Sequence, residues 1–222
     1  VKSLGYFTVK DESRYEFEEK KSIFIGRVKR IYSEDEAKKF INKIKGGEKE
    51  ARHNVYAYAI GENMNIQRYS DDGEPQGTAG LPILGIIKKN KITDVIVVVT
   101  RYFGGILLGK GGLLRAYSKS ASKAIEDSGI IEKIKGVELD IIVNYEDLDK
   151  IKHGFEKELW HIENIDYSDK VKILMYCPLE CNDKVINKTI DITRGKCQVI
   201  VGDEEDYFKM ENRLYREEDL CE

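Results

Sequence analysis

The residues best suited to chemistry lie in residues 100–122, which read TRYFGGILLGKGGLLRAYSKSAS. Five glycines, Gly104, Gly105, Gly109, Gly111 and Gly112, fall within nine positions. An apolar run precedes them and a helical pattern, opening at Leu113, follows. Strand, glycine-rich turn and helix make an anion cradle: glycine admits close backbone approach, and the first free N–H groups of a helix point at the ligand. Arg101, Lys110 and Arg115 add charge, and Tyr102 adds an aromatic ring. Aromatic and basic side chains interleaved in this way suit phosphates and nucleic-acid bases. Gly104-x4-Gly109-Lys110-Gly111 approaches a P-loop, but Gly111 stands where a Ser or Thr hydroxyl would hold magnesium. Phosphate binding without hydrolysis survives that departure, because it needs only N–H groups and positive charge. The competing reading is that the glycines serve a tight turn and close helix–sheet packing.

A second set comprises His53, Asp71, Asp72 and Glu74. The three carboxylates suit a hard cation or acid–base work. Turn and cap chemistry is the preferred reading, since Asp-Asp-Gly is turn-forming and Asp side chains bond to nearby N–H groups. His53 with a carboxylate forms a candidate proton-transfer pair, but no nucleophile accompanies it: the first half has no cysteine and its serines lack a motif. The four cysteines, Cys177, Cys181, Cys197 and Cys221, lie in the second half, without a second metal-type pair. No metal and no cofactor are expected. Reduced thiols and the lack of a membrane-span-length apolar stretch predict a cytoplasmic protein without membrane contact.

The elements that must position these residues read as α+β. Strands are expected through residues 1–32. A helix from Ser33 has Glu36 as its capping-box partner and Gly46-Gly47 as its stop. A strand follows over 55–60, then a loop over 69–80, a short helix over 81–88 capped by Thr78, a buried strand over 95–100, and the helix after the glycine loop to about Ser128. The second half reads strand 139–143, helix 147–159, strands 162–167 and 171–177, helix from an Asn182 cap to about Thr193, and strand 196–201. That β-α-β-β-α-β order is the split βαβ of a ferredoxin-like fold. Gly136 marks the expected boundary, giving domains 1–135 and 136–206 and an acidic tail 207–222. Charge divides in the same place. Residues 1–136 carry 25 Lys+Arg against 18 Asp+Glu, and residues 137–222 carry 12 against 22. Two modules with different surfaces follow, the basic one holding the glycine loop.

Residues 69–84, YSDDGEPQGTAGLPIL, and 97–117, VVVTRYFGGILLGKGGLLRAY, with KSIFI at 21–25 and ARHNVYAY at 51–58, resemble the signature of the Impact family, in particular its bacterial YigZ-like two-domain members. The resemblance covers essentially all of the first module. It implies a first domain like domain 2 of ribosomal protein S-five and a second like domain V of elongation factor G, the latter agreeing with the ferredoxin-like order. Lys110 lies where the family often has a small residue. Eukaryotic Impact proteins regulate translation by interfering with a stress kinase through its co-activator. They carry an extra N-terminal module that this two-domain pattern lacks, so that partner is not expected here. The leading expectation is a non-enzymatic module that binds RNA, the ribosome or translation factors. The alternatives are an enzyme acting on a phosphorylated or nucleotide-like small molecule through His53 and the acidic loop, and a protein-interaction regulator whose acidic second domain meets a basic partner.

Overall fold

The structure is a computed structural model that describes residues 5–221; the side chain of Cys221 lies outside the described set. It divides into two compact units, Tyr6–Ile131 and residues 132–221 with Gly5.

The first unit is built on a five-stranded sheet in which every neighbouring pair is antiparallel, ordered β2-β3-β6-β4-β5. Its elements are β1 (Tyr6–Val9), β2 (Ser13–Glu19), β3 (Ser22–Arg30), α1 (Glu34–Gly47), β4 (His53–Ile60), β5 (Ile66–Ser70), α2 (Gly80–Lys89), β6 (Val95–Tyr102) and α3 (Gly109–Ser128). The central β6 is a continuous apolar run because both its faces are covered. Val95, Val97 and Val99 point to a core shared with α2 and α3. Ile96 and Val98 point to a second core under α1. The period-two alternation of a strand therefore sends Arg101 to the α2/α3 side and Tyr102 to the α1 side. Helix α1 starts as the sequence predicts: Ser33 Oγ accepts from Glu36 N at 3.2 Å, and Glu36 reaches back to Tyr32 N at 2.9 Å.

The second unit forms a sheet ordered β11-β10-β7-β9-β8, again antiparallel throughout. Its elements are β7 (Ile130–Val143), α4 (Tyr145–Lys157), β8 (Asn164–Tyr167), β9 (Val171–Pro178), α5 (Asn182–Thr193), β10 (Gln198–Met210) and β11 (Arg213–Tyr215). Leaving out β11, the spatial order is fourth, first, third, second, the ferredoxin-like arrangement. Its core, from Val137 to Val185, includes Leu148, Ile151 and Phe155 of α4.

The structure departs from the sequence reading at several places. Gly136 is not a break but the middle of β7, which runs unbroken for 14 residues. A Cβ there would meet the Tyr207 ring at 2.8 Å and the Cys177 carbonyl at 2.9 Å, so the glycine serves packing. The region expected as a tail from 207 continues β10 to Met210 and forms β11, with Tyr207, Phe208 and Leu214 buried. Strand β5 takes up Tyr69 and Ser70, where a loop was expected. Helix α5 begins after a 3-10 turn, with Cys181 rather than Asn182 at its N-cap.

Candidate functional site

Helix α3 begins at Gly109, four residues earlier than the sequence pattern suggests. Leu108 occupies the N-cap and offers no side-chain acceptor, and no acidic residue lies in the first turn. The N–H groups of that turn therefore lack both a cap and a neutralising carboxylate. The glycines divide by cause. Gly105 and Gly109 take φ of 83° and 73°, a region that penalises a side chain. Gly104 lies against the β2–β3 hairpin, where a Cβ would stand 1.9 Å from the Lys21 carbonyl oxygen. A Cβ on Gly112 would press on Leu108 at 2.9 Å. Gly111 is different: its φ is ordinary and a Cβ would meet only the Arg115 guanidinium at 3.6 Å. Backbone conformation accounts for two of the five and packing for two more, which leaves Gly111 without a reason internal to the fold.

In front of this turn opens a cleft of about 370 Å³. His53, Glu74, Arg101 and Phe103 line it together with Lys110 and Arg52. The glycine loop, the histidine and one member of the acidic loop thus converge. Glu74 and Arg101 are 8% and 5% exposed. Arg101 Nη1 donates to Glu74 Oε1 at 2.6 Å, and the Tyr117 hydroxyl donates to the same oxygen at 2.8 Å. Burial first, and then the Glu74 carboxylate, holds the Tyr117 phenol far above its ordinary range, so it stays a donor. Arg101 Nη2 reaches Ser22 Oγ at 3.4 Å, and its guanidinium lies 5.5 Å from the ring centroids of both Phe24 and Phe103. His53 Nδ1 lies 2.7 Å from the Asp72 carbonyl oxygen. A carbonyl only accepts, so in the neutral ring Nδ1 carries the hydrogen and Nε2 the lone pair. His53 Nε2 stands 3.9 Å from Glu74 Oε1, beyond hydrogen-bond reach.

The other two carboxylates turn away from the cleft. Asp71 accepts from the backbone N–H groups of Gly77, Ala79 and Gly80 at 2.8, 3.1 and 2.8 Å, so it caps α2. Thr78, expected as that cap, instead donates its hydroxyl to Pro75 O at 2.6 Å. Asp72 accepts from Asn54 N and from Lys45 Nζ, both at 2.7 Å. Tyr102 is not brought to the site either. Its hydroxyl bonds to Glu48, which also pairs with Arg27. That set borders a separate hollow of about 430 Å³, whose charged groups are largely matched among themselves.

The sequence reading missed the β2–β3 turn. Lys20 and Lys21 form it with φ of 48° and 63°, both in the left-handed region. Two-residue hairpin turns of this hand prefer Asn-Gly, and a lysine there costs about 1 kcal/mol or more. The turn thereby holds two exposed cations next to the glycine loop, where Lys21 O faces Gly104. The hint in the sequence was the Glu-Glu-Lys-Lys tetrad between two alternating runs. Lys20 shares a small hollow of about 240 Å³ with Glu19, Arg115, Lys119 and Leu108. Leu108 also lines the cleft, so the two hollows adjoin. Lys20, Lys21, Arg52, Lys110, Arg115 and Lys119 are all exposed, and none forms an ion pair among the described residues. Among these residues there is also no group of His, Cys, Asp and Glu that could hold a metal ion, and no helix long and apolar enough to cross a membrane.

Comparison with known proteins agrees with this layout. The Impact N-terminal domain profile matches residues 20–125, and a domain of unknown function (DUF1949) matches residues 141–196. IMPACT family member YvyE of Bacillus subtilis (strain 168) is 40% identical over 199 residues, covering 90% of this chain and 92% of that protein. IMPACT family member YigZ of Escherichia coli (strain K12) is 32% identical over 187 residues, covering 83% and 92%. A crystal structure described as that of a hypothetical protein superposes with a TM-score of 0.59 at 29% identity, covering 91% of this chain and all of the other.

Proposed function

The chain belongs to the IMPACT family, and from that premise we propose that its first module is a non-enzymatic grip for the phosphates of RNA, acting on the ribosome or in the control of translation. The observation that carries the reading is the set of six exposed cations without an ion pair, one of them, Lys119, lying over the Phe17 ring, around an uncapped helix start. Unpaired lysines and arginines release counterions when they meet a phosphate backbone, which supplies affinity without sequence preference. The vacant N–H groups of α3 add fixed donors at the same place.

Filter binding of a single-stranded RNA at two salt concentrations tests this. If all six cations meet phosphates, log K falls against log salt with a slope near −4, at about 0.7 per contact. Lys110→Ala with Arg115→Ala weakens binding and flattens that slope by about 1.4. No binding at low salt, or binding indifferent to the double substitution, refutes the reading.

The convergence of His53 and Glu74 on the cleft favours a second reading, an enzyme that acts on a phosphorylated or nucleotide-like small molecule with His53 Nε2 as the base. Phosphate release from nucleoside monophosphates by the wild type, lost in His53→Ala, would decide for it. The third alternative, an acidic second module docking a basic protein, gains no specific contact from the geometry.

A further inference from the structure

We infer that the cleft is a reading pocket for one guanine nucleotide, which deepens the phosphate-binding reading above and rests on it. The argument begins at the floor. Glu74 is more than nine-tenths buried, and both of its hydrogen bonds end on Oε1. Oε2 has no partner among the described residues, is not sealed from solvent, and belongs to a residue that lines the cleft. That oxygen is left to water in the cleft, so a ligand donor can take the water's place without breaking a bond of the fold. The His53 Nε2 lone pair, an acceptor fixed by the bond from Nδ1 to the Asp72 carbonyl, stands 3.9 Å from Oε1 of the same carboxylate. The floor thus offers two neighbouring acceptors and asks for two neighbouring donors.

Among the four RNA bases only guanine presents that pattern on its pairing edge, through N1–H and the 2-amino group. Adenine and cytosine set a donor beside an acceptor, and uracil sets a single donor between two acceptors. The wall of the cleft suits a flat base. Phe103 is 40% exposed, with the Arg101 guanidinium 5.5 Å from its ring centroid. At the mouth, Lys110, Arg52 and the vacant N–H groups of α3 meet the phosphate. Gly111, in that first turn, has no structural need to be glycine: a Cβ there would meet only the Arg115 guanidinium, at 3.6 Å. A volume of about 370 Å³ is enough for one nucleotide and too small for a base pair.

The full-length protein is titrated with the four nucleoside 5′-monophosphates and, separately, with a labelled single-stranded oligouridylate and the same oligomer carrying one central guanosine. Guanosine monophosphate is expected to bind about ten-fold more tightly than the other three. Inosine monophosphate, which lacks the 2-amino donor, should lose about ten-fold, as for a hydrogen bond to a charged acceptor, while the 7-deaza analogue should bind like guanosine monophosphate. These base analogues leave the protein untouched, so no outcome turns on whether a variant folds. Phe103→Ala, at a half-exposed position, should weaken all four mononucleotides. A gain from the central guanosine places the pocket on RNA. Guanine preference among free mononucleotides with no RNA binding supports the pocket, makes the free nucleotide its ligand, and overturns the RNA reading. Salt-dependent oligouridylate binding with no gain from guanosine and equal mononucleotide affinities overturns the pocket and leaves the phosphate grip standing. Absence of all binding overturns both.

Discussion

Replacing Arg101 by methionine removes the cation from the cleft floor while keeping a long apolar side chain against Phe24. The Arg101 and Glu74 side chains are 6% and 4% exposed, and their closest approach is 2.6 Å. Glu74 would then keep an interior carboxylate with only the Tyr117 hydroxyl as donor. Breaking a buried ion pair from one side costs about 3–5 kcal/mol, because the remaining charge is left uncompensated. With a urea dependence of about 2 kcal/mol per molar, the midpoint of the first module falls by roughly 2 M. Adding Glu74→Leu removes the stranded charge. What remains is an unsatisfied Tyr117 hydroxyl, worth about 1–3 kcal/mol, so the double variant should be the more stable of the two. The assay must see the first module by itself. Trp160, the single tryptophan, lies in the second unit, so its fluorescence is the wrong probe. Amide signals of Val97, Val98 and Val99 followed by NMR through a urea titration report β6 directly. A cost below about 1 kcal/mol for Arg101→Met, or costs that simply add in the double variant, would refute the claim that this pair is desolvated and coupled.

Gly111→Ala should stabilise the first turn of α3 by about 0.5–1 kcal/mol while lowering RNA affinity, and thermal melts alongside filter binding separate the two effects. Gly104→Ala, by contrast, has no room against the Lys21 carbonyl and should lower the melting temperature by several degrees. Lys21→Gly relieves a residue held at φ 63° and should raise stability by up to about 1 kcal/mol at a loss of RNA affinity, read by the same pair of assays. Burial pushes the Cys177 thiol up to about 12 from an ordinary 9.0, so it should resist alkylation at mildly alkaline pH in the native protein. The unfolded chain ionises this thiol first, so folding stability from this group is whole below pH 9.0 and declines as pH rises toward about 12. Cys177→Ser, followed by urea melts across that range, should flatten the alkaline limb.

Much of the fold is legible because its signals are local. The Ser33–Glu36 capping pair announces α1, alternation announces β2 and β3, and the unbroken apolar run of β6 announces a strand covered on both faces. The β-α-β-β-α-β rhythm of the second half gives its topology before any coordinate. Legibility fails where long-range contacts override local composition. Gly136 looks like a domain boundary until the Tyr207 ring is placed beside it. The segment from 207 looks like an acidic tail until the pairing of Tyr207, Phe208 and Lys209 with β7 is seen. Ile66 to Ser70 carries weak strand propensity and becomes β5 because β4 offers it an edge.

For the site, the sequence by itself determined the ingredients: a glycine-rich turn before a helix, the cations near it, and a histidine with three carboxylates to choose among. Those follow from residue type and spacing, which fix backbone freedom and charge. Tertiary structure decided their fates. Three carboxylates alike in composition became a helix cap, a lysine partner and a cleft floor, because only the packing of α2, β4 and β6 determines which backbone donors each can reach. Tyr102 left the site and Arg101 stayed, because adjacent residues on one strand face opposite layers. In sequence the turn approaches a nucleotide-hydrolysing loop but lacks its hydroxyl, which leaves phosphate binding and, against it, packing. The fold assigns four of its glycines to geometry and leaves Gly111, whose only near neighbour is the Arg115 guanidinium, without a reason of that kind.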